Sequence, residues 1–369
     1  MFSDNQKISQ RQMTRLLVYD MLGISTLLLP SALARLLGRD GIFAILFALA
    51  LALLAVRVMQ HMFKGKNVKN STHAAKTGPV SSMRLLYGIE GICVAGFALY
   101  HLSTLLLKEL LVGEQYWLIA LILLLLGGYG IYQGIEGRAR VYELLYWILM
   151  VPLLIMLLLA AKDVNVDYWT PIATCGIWEL FLGICVVLLF YMMIVFALFL
   201  MPYLTEGTSV AKGCRKSLIQ VAAINSAVYL ITLGVFGEAA LAELRYPVIT
   251  LLSMVKLPGG FFERQDAFMV GIWFFTVYAL INTGMFYASD MMKTRKQRQL
   301  QKPCGKMSIL FTMVLVYIEA MLFYLVSNVY RWFILLQLVV VLPLTIILLI
   351  LLVCNRRKGV RENEEHKKS

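Results

Sequence analysis

The sequence predicts an all-α integral membrane protein with about ten transmembrane helices. Of its 369 residues, 60% are hydrophobic and 15% are charged, and the mean hydropathy of +0.77 is too high for a soluble domain. Apolar runs of about 20 residues, the length that crosses the hydrocarbon core, recur along the chain. Lysine and arginine concentrate in alternate connections between these runs, as they do in multi-pass membrane proteins.

The ten apolar runs define the predicted spans. They lie at about 16–37, 41–59, 84–107, 115–135, 141–161, 176–202, 217–237, 265–288, 307–327 and 332–354. The third run includes two ionisable residues, Glu90 and His101. Residues 238–264 contain a short apolar piece, Val248–Val255, and we predict that this segment lies on the outer face or dips into it without crossing.

The distribution of positive charge predicts the orientation of the spans. With the N-terminus placed inside, 25 of the 34 Lys and Arg residues fall in cytoplasmic segments and 8 in outer ones. Both termini are therefore predicted to be cytoplasmic, and residues 355–369 form a basic cytoplasmic tail. The basic loop 60–83 is expected to be solvated or to rest on anionic lipid headgroups. This asymmetry explains the net charge of +13 without a nucleic-acid partner.

Ten spans divide into two halves of five within one transmembrane domain, 1–369. Repeat one covers about 11–161 and repeat two about 176–354. An odd number of spans in each half makes the halves inverted relative to each other. In proteins of that plan, broken helices at corresponding positions meet near the middle of the membrane. Here the corresponding helices are spans one and six, which both carry a leucine-rich stretch before a proline, Pro30 and Pro202.

The sequence of span one argues against an unbroken helix. Gly23 and Ser25 weaken helical structure, Asp20 places a carboxylate in the membrane, and Pro30 cannot donate a helical hydrogen bond. Interrupted spans of this kind are typical of the substrate sites of transporters. The alternative is a glycine packing contact combined with a proline kink, and the stretch by itself leaves both interpretations open.

Several other membrane-embedded residues have two interpretations. Gly91 and Ala95 share one face of span three, where small residues favour close helix packing. Glu90 is either a gate residue or a side chain that reaches the inner interface. Glu319, near the middle of span nine, must be protonated or partnered, because a charge there costs roughly 3 kcal/mol. Glu319 either has a functional role or forms a hydrogen bond that stabilises the structure.

Signatures of enzymes and metal proteins are missing from the sequence. The six cysteines show no C-x-x-C spacing, and the four histidines show no metal-ligand spacing. A glycine-rich phosphate loop and a nucleophile elbow are also missing. We therefore predict no catalytic residues, no metal and no cofactor.

The chain resembles the endospore germination permease family, the B subunits of spore nutrient germinant receptors, a branch of the amino acid–polyamine–organocation superfamily. The resemblance covers nearly the whole chain. It rests on Lys7-Ile-Ser-Gln10, Met21-Leu-Gly with Leu29-Pro30, Gly134-Ile-Glu-Gly-Arg-Ala-Arg140, Phe236-Gly237, Tyr246-Pro247, Phe262-Glu-Arg-Gln-Asp266 and Trp273. Two departures stand out: Met193-Ile-Val195 replaces a Gly-Phe-Glu-like element in span six, and the basic loop 60–78 replaces a segment containing Phe-Pro. The change in span six puts the identity of the ligand in doubt.

The resemblance implies a LeuT-like fold with an amino-acid-sized pocket between broken spans one and six, beside spans three and eight. Backbone amides released around Gly23 to Ser25 would then bind a carboxylate. The candidate ligand-binding residues are Gly23, Ile24, Ser25, Gly91, Ala95, Phe190, Tyr191, Met192 and Tyr278. The structural or gating candidates are Asp20, Pro30, Glu90, Pro202 and Glu319.

The resemblance also implies partners: an A-type membrane subunit and a C-type lipoprotein subunit, in the spore inner membrane. Three functions compete. The first is a nutrient sensor whose conformational equilibrium is read by the partner subunits. The second is an ion-coupled amino acid permease. The third, a membrane enzyme or scaffold without a small ligand, is disfavoured by the predicted break in span one and the missing catalytic groupings.

Overall fold

The computed structural model describes residues 7–63, 84–205, 207–254, 265–293 and 304–347, and this part of the chain is almost entirely helical. In chain order the α-helices are α1 (Gln10–Leu37), α2 (Gly41–Phe63), α3 (Arg84–Glu109), α4 (Tyr116–Tyr132), α5 (Gly134–Ala160), α6 (Ile177–Tyr191), α7 (Ala197–Leu200), α8 (Val210–Glu243), α9 (Pro247–Met254), α10 (Gln265–Met291), α11 (Lys306–Leu325) and α12 (Ser327–Leu336). After α12 a π-helical turn, Gln337–Val341, leads into a further helical turn. The β-structure of the described ranges is a single bridge between Ile8 and Leu204.

The prediction of an all-α multi-pass membrane protein is confirmed. Seven helical stretches in the described residues are long and apolar enough to cross a membrane, and the first of these, Gln10–Gln60, contains α1 and most of α2. Two shorter apolar helices, Tyr116–Tyr132 and Phe333–Ile347, occupy the predicted fourth and tenth spans. All ten predicted runs therefore correspond to helices.

Span one is a single continuous helix, so the predicted break at Gly23 is wrong. Ser9 caps α1, accepting from the Gln12 amide, and helical structure continues through Gly23 and Pro30 to Leu37. A side chain at Gly23 would lie 2.8 Å from the carbonyl carbon of Thr276 on α10. The glycine therefore serves close helix packing, and Pro30 is accommodated within a membrane helix.

Span six, residues Ile177–Tyr203, is interrupted as predicted. The α-helix α6 ends at Tyr191, and a 3₁₀ segment follows over Met192–Phe196. The short helix α7 and a second 3₁₀ turn, Met201–Tyr203, which contains Pro202, complete the span. Because 3₁₀ hydrogen bonds have poorer geometry than α-helical ones, a run of this kind marks a strained or hinge-like segment.

Polar contacts join segments that the charge pattern assigns to the same side of the membrane. At the predicted inner end, the Ile8 amide donates to the Tyr203 carbonyl at 2.7 Å, and Lys7 Nζ donates to the Pro202 carbonyl at 3.0 Å. At the predicted outer end, Arg35 Nε donates to the Ala242 carbonyl. Segments predicted to share a side therefore meet at the same end of the bundle.

The connection predicted to lie on the outer side contains the expected short apolar piece. Gly237, in the left-handed region at φ 71°, kinks α8, and its helical structure continues to Glu243. The eight-residue helix α9 then packs with buried Val248 and Leu252 against the bundle. Residues 255–264, which complete this connection, lie outside the described ranges, as do the basic loop at 64–83 and the tail.

Candidate functional site

A cavity of about 70 Å³ lies where α1, α3, span six, α10 and α12 meet. Its polar lining consists of two carboxyl side chains and one amide, and its aromatic lining of three phenyl rings; these are Asp20, Glu90, Gln337, Phe97, Phe190 and Phe333. We call it the Asp20–Glu90 cavity. A site needs roughly 10–15 Å³ for one water molecule, so this cavity has room for several waters or a small organic solute.

Asp20 belongs to a buried polar relay that links three helices. Arg138 on α5 donates through Nη2 to the Thr283 hydroxyl on α10, and that hydroxyl donates to Asp20 Oδ1 on α1. Asp20 and Arg138 are 3% and 5% exposed. The Arg138 guanidinium also lies 5.5 Å from the centre of the Phe286 ring. The negative charge of Asp20 is therefore balanced by a cation buried in the same bundle.

Glu90 has a different environment. Its Oε2 accepts from Gln337 Nε2 at 3.1 Å, which joins α3 to the π-helical turn after α12. The residue is 8% exposed. No Lys, Arg or His among the described residues forms an ion pair with it. The cavity thus contains one carboxyl group with a cationic partner and one with a neutral partner.

The aromatic lining comes from α3, α6 and α12. Phe97 and Phe333 stack with their ring centres 5.1 Å apart and their planes inclined by 21°. Phe190 lies near the end of α6, one residue before Tyr191, after which the 3₁₀ segment begins. The interruption of span six therefore borders the cavity directly.

Four of the predicted site residues meet in this cavity: Asp20, Ile24, Glu90 and Phe190. Two others, Tyr191 and Met192, line a separate groove of about 520 Å³ between α2, span six and the helical turn that contains Thr345. That groove is lined almost wholly by apolar side chains. It includes Leu51, which is 48% exposed on the outside of the bundle, where membrane lipid lies.

The predicted small residues serve helix packing. A side chain at Gly91 would lie 2.7 Å from the Gly284 carbonyl oxygen, and one at Gly284 would lie 3.0 Å from the Ala95 side chain, so α3 and α10 are in close contact. Gly23 is covered by α10 in the same way. The amides of Gly23 to Ser25 lie inside the continuous helix α1, so the predicted carboxylate site there is wrong.

Ser25 and Tyr191 lie beside the seventh span. Ser25 Oγ donates to Asn225 Oδ1 on α8 at 3.1 Å, which ties α1 to α8. The Tyr191 hydroxyl and Asn225 Nδ2 are buried and have no hydrogen-bond partner among the described residues. Tyr278 stacks on Phe274 with ring centres 5.8 Å apart and lies outside both cavities.

The remaining candidates have structural positions. Pro30 lies inside α1, and the Pro202 carbonyl accepts from Lys7. Glu319 on α11 is partly buried against α3, where its Oε2 would lie 2.4 Å from a side chain placed at Gly96. It does not line the Asp20–Glu90 cavity.

Arg138, Thr283, Phe333 and Gln337 are site residues that sequence reasoning missed. The sequence places Arg138 among the positive charges of a cytoplasmic connection. In the structure it lies within α5, which begins at Gly134, and its side chain is buried. A signal was available: Arg138 and Tyr142 are four residues apart and share the buried face of α5. Gln337 also carried a signal, because it is the one amide side chain in the predicted span 332–354. Phe333 carries no sequence feature that separates it from other residues of an apolar span.

The described residues hold no group of three His, Cys, Asp or Glu side chains that could bind a metal ion. What the site offers is a small, largely apolar space with a few fixed polar groups. This composition is typical of sites for small molecules.

Comparison with known proteins gives a consistent result. The spore germination protein family matches residues 7–318 of the chain. Spore germination protein YndE of Bacillus subtilis (strain 168) is 22% identical over 321 residues, which cover 84% of this chain and 87% of that protein. Spore germination protein B2 of the same organism is 23% identical over 145 residues, 39% of each chain. Spore germination protein A2 is 23% identical over 171 residues, 45% of this chain and 46% of the relative.

The match covers more than half of the chain and spans the helices that carry Asp20, Glu90, Arg138 and Thr283. It confirms the family resemblance found in the sequence. This multi-pass membrane protein belongs to the spore germination protein family.

Proposed function

We propose that the chain is the nutrient-binding membrane subunit of a spore germinant receptor and that its ligand occupies the Asp20–Glu90 cavity. The observation that carries this proposal is the position of the cavity beside the interruption of span six, at Phe190 and Met193. A ligand that contacts the 3₁₀ segment differently in two conformations can shift the equilibrium between them. That shift is the signal.

The proposal includes the cellular setting implied by the family resemblance. The protein resides in the spore inner membrane with both termini in the cytoplasm, and it passes the signal to an A-type membrane subunit and a C-type lipoprotein subunit. The ligand is a nutrient of amino-acid size. We assign the chain no catalytic activity and no cofactor.

Filling the cavity tests this function. In spores whose germination requires the chain, Phe190→Trp places a larger side chain in the ligand space and should abolish the response to nutrient while the protein remains in the membrane. Phe181→Trp is the matched control, because Phe181 lies on the same helix and is 53% exposed on the lipid side. A normal response from Phe190→Trp would exclude this cavity as the nutrient site.

An ion-coupled permease is the second candidate, favoured by the carboxyl groups of Asp20 and Glu90 within the membrane, since such groups mark ion pathways in transporters. The two functions differ in whether solute crosses. Purified protein in vesicles should bind the nutrient without concentrating it if the chain is a sensor. Concentrative uptake driven by an ion gradient would establish the permease function.

Chemical labelling tests the orientation. Thr205→Cys places a thiol at an exposed position between span six and α8, and an impermeant maleimide should reach it from the cytoplasmic side only. The native Cys304 lies at the same predicted side, but burial raises the pKa of its thiol to about 11, so it should react slowly at neutral pH. Labelling of Thr205→Cys from the outer side would show that the topology is the reverse of the proposed one.

A further inference from the structure

We propose that the Asp20–Glu90 cavity recognises its nutrient by a cationic amine, with Glu90 as the counter-ion. This inference rests on the proposed function and names the chemical class of the ligand. It differs from the recognition expected from the sequence, in which freed backbone amides of span one would bind a carboxylate.

The first step is the balance of charge around the cavity. The negative charge of Asp20 is balanced by Arg138, and the Thr283 hydroxyl links the two side chains by hydrogen bonds. Glu90 receives one hydrogen bond from the neutral Gln337 amide, and its second oxygen has no hydrogen-bond partner among the described residues. A buried carboxyl group without a cationic partner is either protonated or costly to ionise, and a bound cation would stabilise its ionised form. Glu90 is therefore the group of this cavity that an amine can satisfy.

The second step is what the cavity cannot bind well. Among the described residues that line it, the two charged ones are acidic, and none is Lys, Arg or His. The backbone amides of α1 from Gly23 onward lie in a continuous helix, where they are consumed by helical hydrogen bonds. An isolated carboxylate entering this space would face two carboxyl groups and no cation among the described lining residues. The cavity thus disfavours simple anions.

The third step is the aromatic lining. Phe97, Phe190 and Phe333 surround the same space as Glu90. Aromatic faces attract organic cations through the ring quadrupole, and they also cover the apolar body of an amine. Two features of different kinds, a carboxyl group with no cationic partner among the described residues and a set of aromatic rings, therefore favour the same class of ligand. The volume of about 70 Å³ restricts that class to small amines, including the ammonium end of a small amino acid.

The test uses two probes of similar size and opposite charge on the full chain in lipid nanodiscs. Ethylamine is a cation at neutral pH and propionate is an anion. We expect ethylamine to raise the thermal unfolding midpoint and to give a measurable Kd by calorimetry, while propionate at the same concentration does neither. Propionate binding as tightly as ethylamine would overturn the inference. Protection by sodium chloride equal to that by ethylamine would also overturn it, because the site would then be one for inorganic cations.

Substitutions of Glu90 test whether this residue recognises the amine. Glu90→Gln should weaken ethylamine binding by at least about tenfold, because truncating one partner of a buried charge pair is costly. Glu90→Asp should retain most of the binding. The matched control is Glu143→Gln, which neutralises a carboxyl group of α5 that pairs with Arg11 and Arg15 outside the cavity and should leave the ethylamine Kd unchanged. Equal Kd values for wild type and Glu90→Gln would remove Glu90 from the site. If Glu90→Gln does not fold, the comparison of ethylamine with propionate on the wild-type chain still decides.

Spore germination separates this inference from the proposed function. If wild-type spores respond to nutrient and Glu90→Gln spores respond equally, the chain is a receptor subunit and amine recognition by Glu90 fails. If deletion of the chain leaves every nutrient response intact, the proposed function fails, whatever the nanodiscs bind. A response lost in Glu90→Gln spores and kept in Glu143→Gln spores supports both.

Discussion

Spans one and six both carry a proline after a leucine-rich stretch. Span one is a single helix of 28 residues, α1, whereas span six is divided into four segments. Both spans are buried within the bundle, with residues 194–200 at most 4% exposed, so the difference lies in the backbone: span six contains 3₁₀ segments and α1 does not. The backbone of α10 covers Gly23, and side chains of α1 bond to both α8 and α10. Continuous packing against neighbours keeps a helix intact despite weak helix formers. We infer that α1 is a fixed wall of the cavity and that span six is its adaptable wall.

The largest expected effect comes from removing Arg138, the cation that balances the charge of Asp20 on α1. Arg138→Met leaves Asp20 buried without a cationic partner and should reduce the free energy of unfolding by about 3–5 kcal/mol. Denaturant unfolding in detergent measures the loss. Arg11→Met is the control: its ion pair with Glu143 involves a side chain that is 66% exposed, so the change should be at most about 1 kcal/mol. Adding Asp20→Asn should recover part of the stability of Arg138→Met, and failure to do so would show that the relay is not electrostatic.

The contact between α1 and α10 gives the next largest effect. Gly23→Val forces a side chain against the Thr276 backbone and should destabilise the protein by about 1–3 kcal/mol, lowering its abundance in the membrane. The matched control is Gly271→Val on α10, where no heavy atom lies within 4 Å of an added side chain. Full abundance of Gly23→Val combined with a lost nutrient response would restore Gly23 as a ligand-site residue.

Asp40, just after α1, ties the fixed wall to the segment that leads into span six. Its carboxylate accepts from the amides of Ala173, Thr174 and Cys175 at 2.7, 2.6 and 2.9 Å. Burial acts to raise the pKa of Asp40, but these amides and the Thr174 hydroxyl outweigh it and lower the pKa below its usual value. A lowered pKa in the folded state contributes stability that is present above about pH 4 and lost as pH falls through the folded pKa.

Asp40→Asn should therefore lower stability at neutral pH by about 1–2 kcal/mol and flatten its dependence on pH below about 4. Thermal unfolding midpoints of both proteins between pH 3 and pH 7 measure this. Parallel curves for wild type and Asp40→Asn would show that the carboxylate does not hold the segment before α6.

The smallest expected effect concerns Pro202. The interruption of span six begins at Met192, ten residues before this proline, so Pro202→Ala should change stability by no more than about 0.5 kcal/mol. Hydrogen exchange sharpens the comparison: amides of Met192–Phe196 should exchange faster than those of Gly23–Thr26, in both wild type and Pro202→Ala. Equal exchange in the two stretches would contradict the assignment of fixed and adaptable walls.

The sequence was sufficient for features that depend on composition and order along the chain. The ten apolar runs and their alternating basic connections follow from hydropathy, charge and the length that crosses a bilayer. The interruption of span six was expected from the two-half plan and Pro202, although it begins ten residues before that proline. Asp20 and Glu90 were found because a charge in a membrane span stands out against an apolar background, and Phe190 because it borders the interruption of span six. Ile24 was named for a break in span one that the structure does not contain. The inverted relation of the two halves stays a prediction.

Only the tertiary structure decided which polar groups face each other. The sequence of α1 is equally consistent with a ligand-binding break and with a packed helix, and the α10 backbone over Gly23 selects the second. Arg138 reads as one more cytoplasmic charge until α5 places it beside Thr283. Gln337 and Glu90 are 247 residues apart in the chain and bond across the cavity. The physical reason is that burial and pairing of a polar group depend on neighbours from distant spans, whereas the tendency to enter the membrane is a property of each segment alone.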